Sequence, residues 1–522
     1  MPDPTKTIEQ ELSRAVDSIR LSTAVEPRGV VRRVGDGVAS VSGLPDVRFE
    51  ELLAFDSGAQ GIAFDLRRDT IGVILLAGAS EVHEGDGVVG LQRLPDLPVG
   101  REALGRVLDP LGNPLDEGPP LAGAQRLPLF RQAPEIIERR SVDRPLLTGV
   151  MAVDAAIPIG RGQRELIIGD RNVGKTALAM DFIAAQTSGD VSNVYVMIGQ
   201  PMSRVRALRD SLERVGALSN TVVIAAYASD SPGMQYLAPL AGASMAESFR
   251  DQGQHAIVVY DDLTKHADAY RELALLLDRP PGREAYPGDI FYVHAELLER
   301  AAAISDDLGA GSVTAFPLVE TTDGDISAYI PTNLISITDG QIYLDTGRFE
   351  RDLRPAIDIG RSVSRIGAVA QPPPMRAAAK NLKIQISRFE SLEKLSRVGL
   401  DIDLSTRKSL DEGKILRGLL RQGRFASRSL AHQVIWLTAA AENWLEGLDP
   451  EQATAVAQRL MELARSQAGD VVAALNAGTD PEGDWKTTLA DLAGQARSLV
   501  EGSPPKPAES DASEAPAKEQ PE

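Results

Sequence analysis

The chain has 522 residues, room for about two to four domains with sizeable cores. Lys and Arg number 55 against 74 Asp and Glu, a formal charge of −19. That balance argues against a general nucleic-acid binder, because counterion release needs surplus cations. There is no cysteine, so disulfides and thiolate metal sites are excluded. The opening Met1-Pro2-Asp3-Pro4 offers neither a cationic nor an apolar leader segment. No run reaches the roughly 18 apolar residues of a membrane-spanning helix, so a membrane role is expected only through partners.

Residues 1–24 form an N-terminal segment whose apolar positions Ile8, Leu12, Ala15, Val16 and Ile19 follow a helical spacing. Residues 25–98 alternate short β-type runs with Gly-, Asp- and Pro-bearing turns, the pattern of a small β-barrel. Phe49, Phe55 and Phe64 are its aromatics, and acids outnumber bases 12 to 7. It lacks the stacking platforms and positive groove of a single-strand binder, so a structural barrel is favoured. Residues 99–370 alternate strands and helices, an α/β domain of RecA-like, P-loop type. Its strand candidates are Glu165–Ile168, Val194–Ile198, Thr221–Ala225, Ala256–Tyr260 and Ser312–Leu318. The segment Pro280–Asp289 is too rich in Pro and Gly for regular structure and reads as a stiff exposed loop. Gln371-Pro372-Pro373-Pro374 breaks the chain before a helix-rich region, 371–501, with helices expected near 375–399, 405–421, 427–446, 450–466 and 484–501. Trp436, Trp444 and Trp485 are expected in its core. Residues 502–522 carry five prolines, five acids and no large apolar side chain, a composition expected to be disordered.

The chemistry centres on Gly169-Asp170-Arg171-Asn172-Val173-Gly174-Lys175-Thr176, a G-x-x-x-x-G-K-[ST] phosphate loop between an apolar strand and the helical run that starts at Ala177. The glycines let backbone N–H groups turn toward anionic oxygens, and the helix adds its positive end. Lys175 is placed to reach the β- and γ-phosphates, and the Thr176 hydroxyl to hold Mg²⁺. The apolar run Ala256–Tyr260 followed by Asp261-Asp262 is a Walker-B arrangement. Asp261 is the second metal group, and Asp262 is a helix-cap candidate. At the carboxyl end of the strand after the phosphate loop, where a water-activating carboxylate is expected, the sequence has Gln200. An amide can hydrogen-bond water but cannot take its proton. On residues alone Gln200 is equally well an ordinary strand-end side chain. Likewise Arg365, just beyond Pro355–Ser364, reads first as a surface or salt-bridged arginine.

Together these segments resemble the α subunit of F-type rotary ATP synthases over about residues 25–500. The near-verbatim stretches are Gly162–Arg171 into Gly174-Lys175-Thr176, Arg279–Asp289, Tyr329–Asn333, Ser336–Gln341 and Pro355–Ser364. The resemblance implies a non-catalytic nucleotide site that binds Mg-ATP or Mg-ADP without turning it over. Gly199-Gln200 is similar to the α version of a strand end where the catalytic β subunit carries a glutamate. The resemblance further implies a six-membered ring alternating with β around a γ stalk. Peripheral-stalk, δ-type partners and an indirect link to the membrane F0 sector go with it, at the cytoplasmic face of the inner membrane, with no nucleic acid. It reverses the reading of Arg365, which becomes the arginine lent to the neighbouring β site, with Ser362 in the same turn. It places Arg171, Gln200 and Asp261 at the nucleotide, Arg354, Pro355 and Gln422 near its adenine, and the Pro280–Asp289 loop near the stalk. Departures are Asn172-Val173 for a usual Gln-Thr, Gln422-Gly423-Arg424-Phe425 where a second glutamine and a tyrosine are common, Arg361 for an apolar residue, Gln371–Pro374, and the acidic tail. They suggest a divergent branch that pumps Na⁺ or H⁺. Two rivals remain. A self-sufficient hexameric motor ATPase predicts a carboxylate at position 200, and a Rho-like ring helicase predicts a basic, aromatic barrel.

Overall fold

The computed structural model describes residues 27–187, 189–397 and 404–502. The helix expected in 1–24 and nearly all of the 502–522 tail lie outside them.

Six strands, β1 (Arg28–Gly35), β2 (Val38–Ser42), β3 (Leu52–Phe55), β4 (Gln60–Leu66), β5 (Ile71–Leu75) and β6 (Gly87–Gly90), close into a barrel in the order β1-β2-β5-β4-β3-β6. Alternate residues point inward, and Val31, Val41, Leu53, Val73, Leu75 and Val88 fill the interior. Closure leaves no free edge to pair with another polypeptide. The barrel is seated on the central domain through Phe64, whose ring meets Tyr236 at 5.7 Å and Tyr270 at 6.1 Å, edge-on in both cases. The boundary expected near 98 falls at a two-stranded ribbon of β7 (Asp96–Val99) and β9 (Gln125–Pro128).

The central sheet is built from β8 (Val107–Leu108), β10 (Glu165–Asp170), β11 (Val191–Gln200), β12 (Thr221–Tyr227), β13 (His255–Asp261), β14 (Ser312–Thr321), β15 (Gly340–Leu344) and β16 (Val363–Ser364). Their order is β16-β15-β10-β14-β13-β11-β12-β8, with β16 antiparallel to β15 and the other pairs parallel. Helices cover both faces, so the central strands are largely apolar runs rather than alternating, and every residue of β11 is buried. The five expected strands are present, each somewhat longer than its apolar run. The order matters for the site. After β10 the chain skips two positions and enters the sheet at β11, and the gap is filled by β13 and β14. The carboxyl ends of β10, β14, β13 and β11 therefore stand side by side, the usual ligand position of a doubly wound sheet.

The C-terminal region is helical: Pro373–Ala379, Leu382–Arg397, Leu404–Leu420, Leu430–Ala441, Pro450–Gln467, Gly469–Asn476 and Trp485–Glu501. The expected helix 375–399 is two helices with a break after Ala379, and Gly469–Asn476 was not anticipated. The triple proline opens a helix rather than only ending one: Pro373 occupies its first turn, where a missing N–H costs nothing. Trp436 is buried as expected, with Trp444 and Trp485 packed at the rim of the same core. This core is continuous with one face of the central sheet. Buried Asp154 ties the two together, accepting from the Thr148 and Gly149 amides, the Thr148 hydroxyl and Gln433 Nε2. The Pro280–Asp289 loop is exposed apart from Tyr286 and Pro287, and has one short 3-10 turn, Arg283–Ala285.

Candidate functional site

The phosphate loop joins β10 to the helix Lys175–Ala184. Asn172 at φ 63° and Gly174 at φ 102° give it its left-handed turns. Gly174 is the N-cap of the helix and makes no side-chain cap, which leaves first-turn N–H groups free for an anion. Lys175 is folded over the loop, its Nζ donating to the carbonyls of Gly169 at 2.7 Å and Asp170 at 2.6 Å. Burial lowers its pKa, opposed by Glu320, Asp262, Asp261 and Asp170.

Asp261 ends β13, buried, with Oδ2 accepting from Thr176 Oγ1 and from Tyr195 OH, both at 2.8 Å. Burial raises its pKa, while those two hydroxyls and Lys175 pull it down. Asp262 caps the helix Leu263–Leu276 by accepting from the Lys265 amide at 2.9 Å. Burial and the adjacent Asp261 push its carboxyl up to about 7. Among the described residues no group of three or more His, Cys, Asp and Glu could hold a metal. A hydroxyl and a carboxylate 2.8 Å apart beside a phosphate cradle nevertheless suit Mg²⁺, which takes few protein oxygens and completes its shell with phosphate and water.

The cleft, about 390 Å³, is lined by Arg171, Asn172, Gly174, Lys175, Thr176 and Ala177 from the loop and its helix. Gln200, Arg204, Asp261, Asp262, Lys265, Glu320 and Arg424 close it from the other elements. Gln200 is buried at the end of β11 and accepts from Arg204 Nη1 at 3.2 Å. Arg171 faces Glu320 at 3.6 Å. Two loop residues point elsewhere. Val173 is a core side chain. The Asp170 carboxylate accepts from Thr321, Gly324 and Thr346, bracing the loop from behind.

Arg354, Pro355 and Gln422 do not line this cleft. They cluster beside it: the Gln422 amide donates to Arg354 O at 2.9 Å, and its side chain is held by Gly149, Met151 and Ala426. Arg354 and Pro355 border a separate small cavity with Phe389 and Arg417. Arg424 instead reaches the cleft, stacked on Phe425 at 4.6 Å. Arg204, Lys265, Glu320 and Arg424 are thus the charged side chains that a linear reading does not assign to the site. Glu320 carried a signal, as the acid two residues past the apolar run ending at Leu318.

Ser362 and Arg365 are remote from the cleft. Ser362 is buried, donating to Asp358 O at 2.6 Å and accepting from the Tyr343 amide at 2.9 Å, so its hydroxyl shapes the turn. Arg361 is accommodated by stacking on Tyr343 at 3.8 Å. The Arg365 amide donates to Asp339 O, and the Asp339 amide to Arg164 O, at the amino end of β10. β10 is six residues long; at roughly 3.3 Å per residue its ends stand about 20 Å apart. The Arg365 side chain is exposed, with Nη2 only 3.5 Å from Ile335 O, and cannot reach the phosphate loop of its own subunit.

No helix among the described residues is long and apolar enough to cross a membrane. The family model for the nucleotide-binding domain of the ATP synthase alpha/beta family matches residues 149–364, and the model for the C-terminal domain of the same alpha/beta chains matches 371–496. The protein is 47% identical over 450 residues to ATP synthase subunit alpha of Aquifex aeolicus, covering 86% of this sequence and 90% of that one. It is 49% identical to subunit alpha of Dehalococcoides mccartyi, covering 81% and 84%. It is 50% identical to ATP synthase subunit alpha 2 of Burkholderia thailandensis, covering 85% and 80%. This chain therefore belongs to the ATP synthase alpha/beta family.

Proposed function

We propose that this chain is a non-catalytic, regulatory nucleotide-binding subunit of the α type in the F1 sector of an ion-translocating rotary ATP synthase or ATPase. It binds Mg-ATP or Mg-ADP in its own cleft and lends Arg365 to the catalytic site of a neighbouring β-type subunit. Its further partners are a γ stalk and a peripheral, δ-type stalk, which hold it at the cytoplasmic face of the membrane beside F0. The observation that carries the reading is the cleft's chemistry. The phosphate cradle is complete, but the side chain at the end of β11 is the amide of Gln200, held by Arg204. Thr176 and Asp261 supply the oxygens that would hold Mg²⁺, whose charge would neutralise the phosphates. Lys175 positions the terminal phosphates and β10 fixes the loop. No side chain on β11 stands ready to take a proton from water.

Arg365 supports the second half. It is exposed at the opposite end of the sheet from its own loop, on a surface open to a neighbouring subunit. A guanidinium delivered to a neighbour's γ-phosphate stabilises the charge that develops there.

Glu320 favours a second reading, a self-sufficient motor ATPase, because it is a carboxylate in the cleft. Its pairing with Arg171 speaks against that use. Turnover by the purified subunit decides. Binding of Mg-ATP with negligible hydrolysis is expected. Rapid hydrolysis that Glu320→Gln abolishes would establish the motor reading instead.

A further inference from the structure

One cleft side chain has a position that the cradle and the metal site do not explain. Arg204 is the third residue of the helix Met202–Arg214, whose first turn contains no acid. A cation there opposes the positive end of the helix dipole and is locally unfavourable. It is exposed, and among the described residues it forms no ion pair; its hydrogen bond goes to the neutral Gln200 Oε1 at 3.2 Å. The other cleft cations are better occupied. Lys175 and Lys265 each bond backbone carbonyls, Arg171 faces Glu320, and Arg424 lies on Phe425.

The neighbours of Arg204 place it at the terminal-phosphate end of the cleft. Gln200 ends β11, which pairs directly with β13, the strand that ends in Asp261. Arg204 and Asp261 line the same cleft. Asp261 in turn bonds Thr176 in the phosphate loop. Lys175 and Arg204 therefore line one cleft, the first from the phosphate loop and the second from the helix that follows β11.

We propose that Arg204 is a γ-phosphate-binding residue that makes this cleft prefer nucleoside triphosphate over diphosphate. The inference rests on the nucleotide-site reading above and specifies what the site distinguishes. A diphosphate is satisfied by the loop amides, Lys175 and Thr176. A triphosphate adds oxygens that face the β11 wall, where the planar guanidinium can release Gln200 and bind two of them in a fork. The same phosphate also compensates the misfit of a cation at a helix start, because the anion is attracted by both.

The test is equilibrium dialysis of the full-length protein with Mg-ADP and with Mg-AMP-PNP, a non-hydrolysable triphosphate. The wild-type protein is expected to favour the triphosphate. Arg204→Gln is expected to weaken the triphosphate at least tenfold and leave Mg-ADP within twofold; the retained Mg-ADP binding also shows that the variant is folded. Arg204→Lys, which keeps the charge without the fork, is expected to fall between them. Equal weakening of both nucleotides, or no change in either, overturns the role of Arg204 while leaving the nucleotide site standing. Failure of the wild-type protein to bind Mg-ADP overturns the site reading itself, and this inference with it.

Discussion

The two ends of the central sheet are built on opposite principles. At the carboxyl end, Lys175, Tyr195 and Asp261 are buried, and they and the exposed Thr176 are bonded within a single subunit. At the amino end, the Arg365 side chain stands exposed, its Nη2 3.5 Å from Ile335 O. Behind it the turn is firm: Ser362 is locked to Asp358 and Tyr343, and Lys383 donates to the Ser362 carbonyl at 2.7 Å. The contrast separates a site completed within one subunit from a side chain that a fixed scaffold presents outward. A group aimed at solvent gains little for its own fold, since exposed charge contacts contribute about 0–1 kcal/mol, which is consistent with the assembly role proposed for it.

Substitutions at the two ends should therefore fail in different ways. The largest effect is expected from Arg365→Ala. Multisite hydrolysis by the assembled ring should fall roughly 10³-fold or more, the scale of an arginine finger, with nucleotide binding by this subunit unchanged in a filter assay. Lys175→Ala should do the reverse. Losing a charged hydrogen-bond donor to phosphate is worth about 1.5–3 kcal/mol, so this subunit's nucleotide affinity should drop roughly ten- to a hundredfold, while the neighbour's first turnover persists in rapid-quench measurements. Gln200→Glu tests whether the missing acid alone silences the cleft. Turnover of the isolated subunit should rise less than about tenfold, because the transition-state arginine would still be absent.

The smallest effect concerns Asp181, on the phosphate-loop helix. Burial lifts its carboxyl to about 6, against the Phe425 amide and Arg424, which pull it down. A carboxyl raised in the folded state contributes most at low pH, and that contribution is lost as pH rises through 6. Asp181→Asn keeps an acceptor for the Phe425 amide. It should raise the denaturation midpoint at pH 8 by an amount equivalent to about 1–2 kcal/mol, less than the roughly 3 kcal/mol that two pKa units at 1.36 kcal/mol each would give, because the group is partly screened by solvent, with the gain shrinking toward pH 5.

How much of this was legible in the sequence follows from locality. The phosphate loop and Asp261 were readable because a strand, a turn and a helix start are contiguous, and each side chain's role follows from its place in that run. The barrel and the five strands were readable from alternating or continuous apolar runs. Glu320, Arg204 and Arg424 were not assigned, because their presence in the cleft depends on sheet order. β13 and β14 insert between β10 and β11, and Arg424 arrives from the helical domain. Membership of a motif also did not fix orientation. Val173 and Asp170 lie within the loop yet turn into the core and toward Thr321, and Ser362 lies within its motif yet is sealed in. Gln422 is bonded to Gly149, and Arg354 and Pro355 border a neighbouring cavity, so none of the three residues assigned to the adenine lies in the cleft wall.

The absence of native cysteine makes one experiment unusually clean. The Arg365→Cys variant has a single thiol at the tip of the presented turn. It can be exposed to an ATP analogue bearing an electrophile on its γ-phosphate, with labelling read by mass spectrometry of this subunit. Labelling of position 365 is expected in the ring assembled with the β-type partner, and none in the isolated subunit. Equal labelling of the isolated subunit, or no labelling in an assembled ring whose sites hold the analogue, would contradict the division between a cleft that grips its own nucleotide and an arginine that serves the next one.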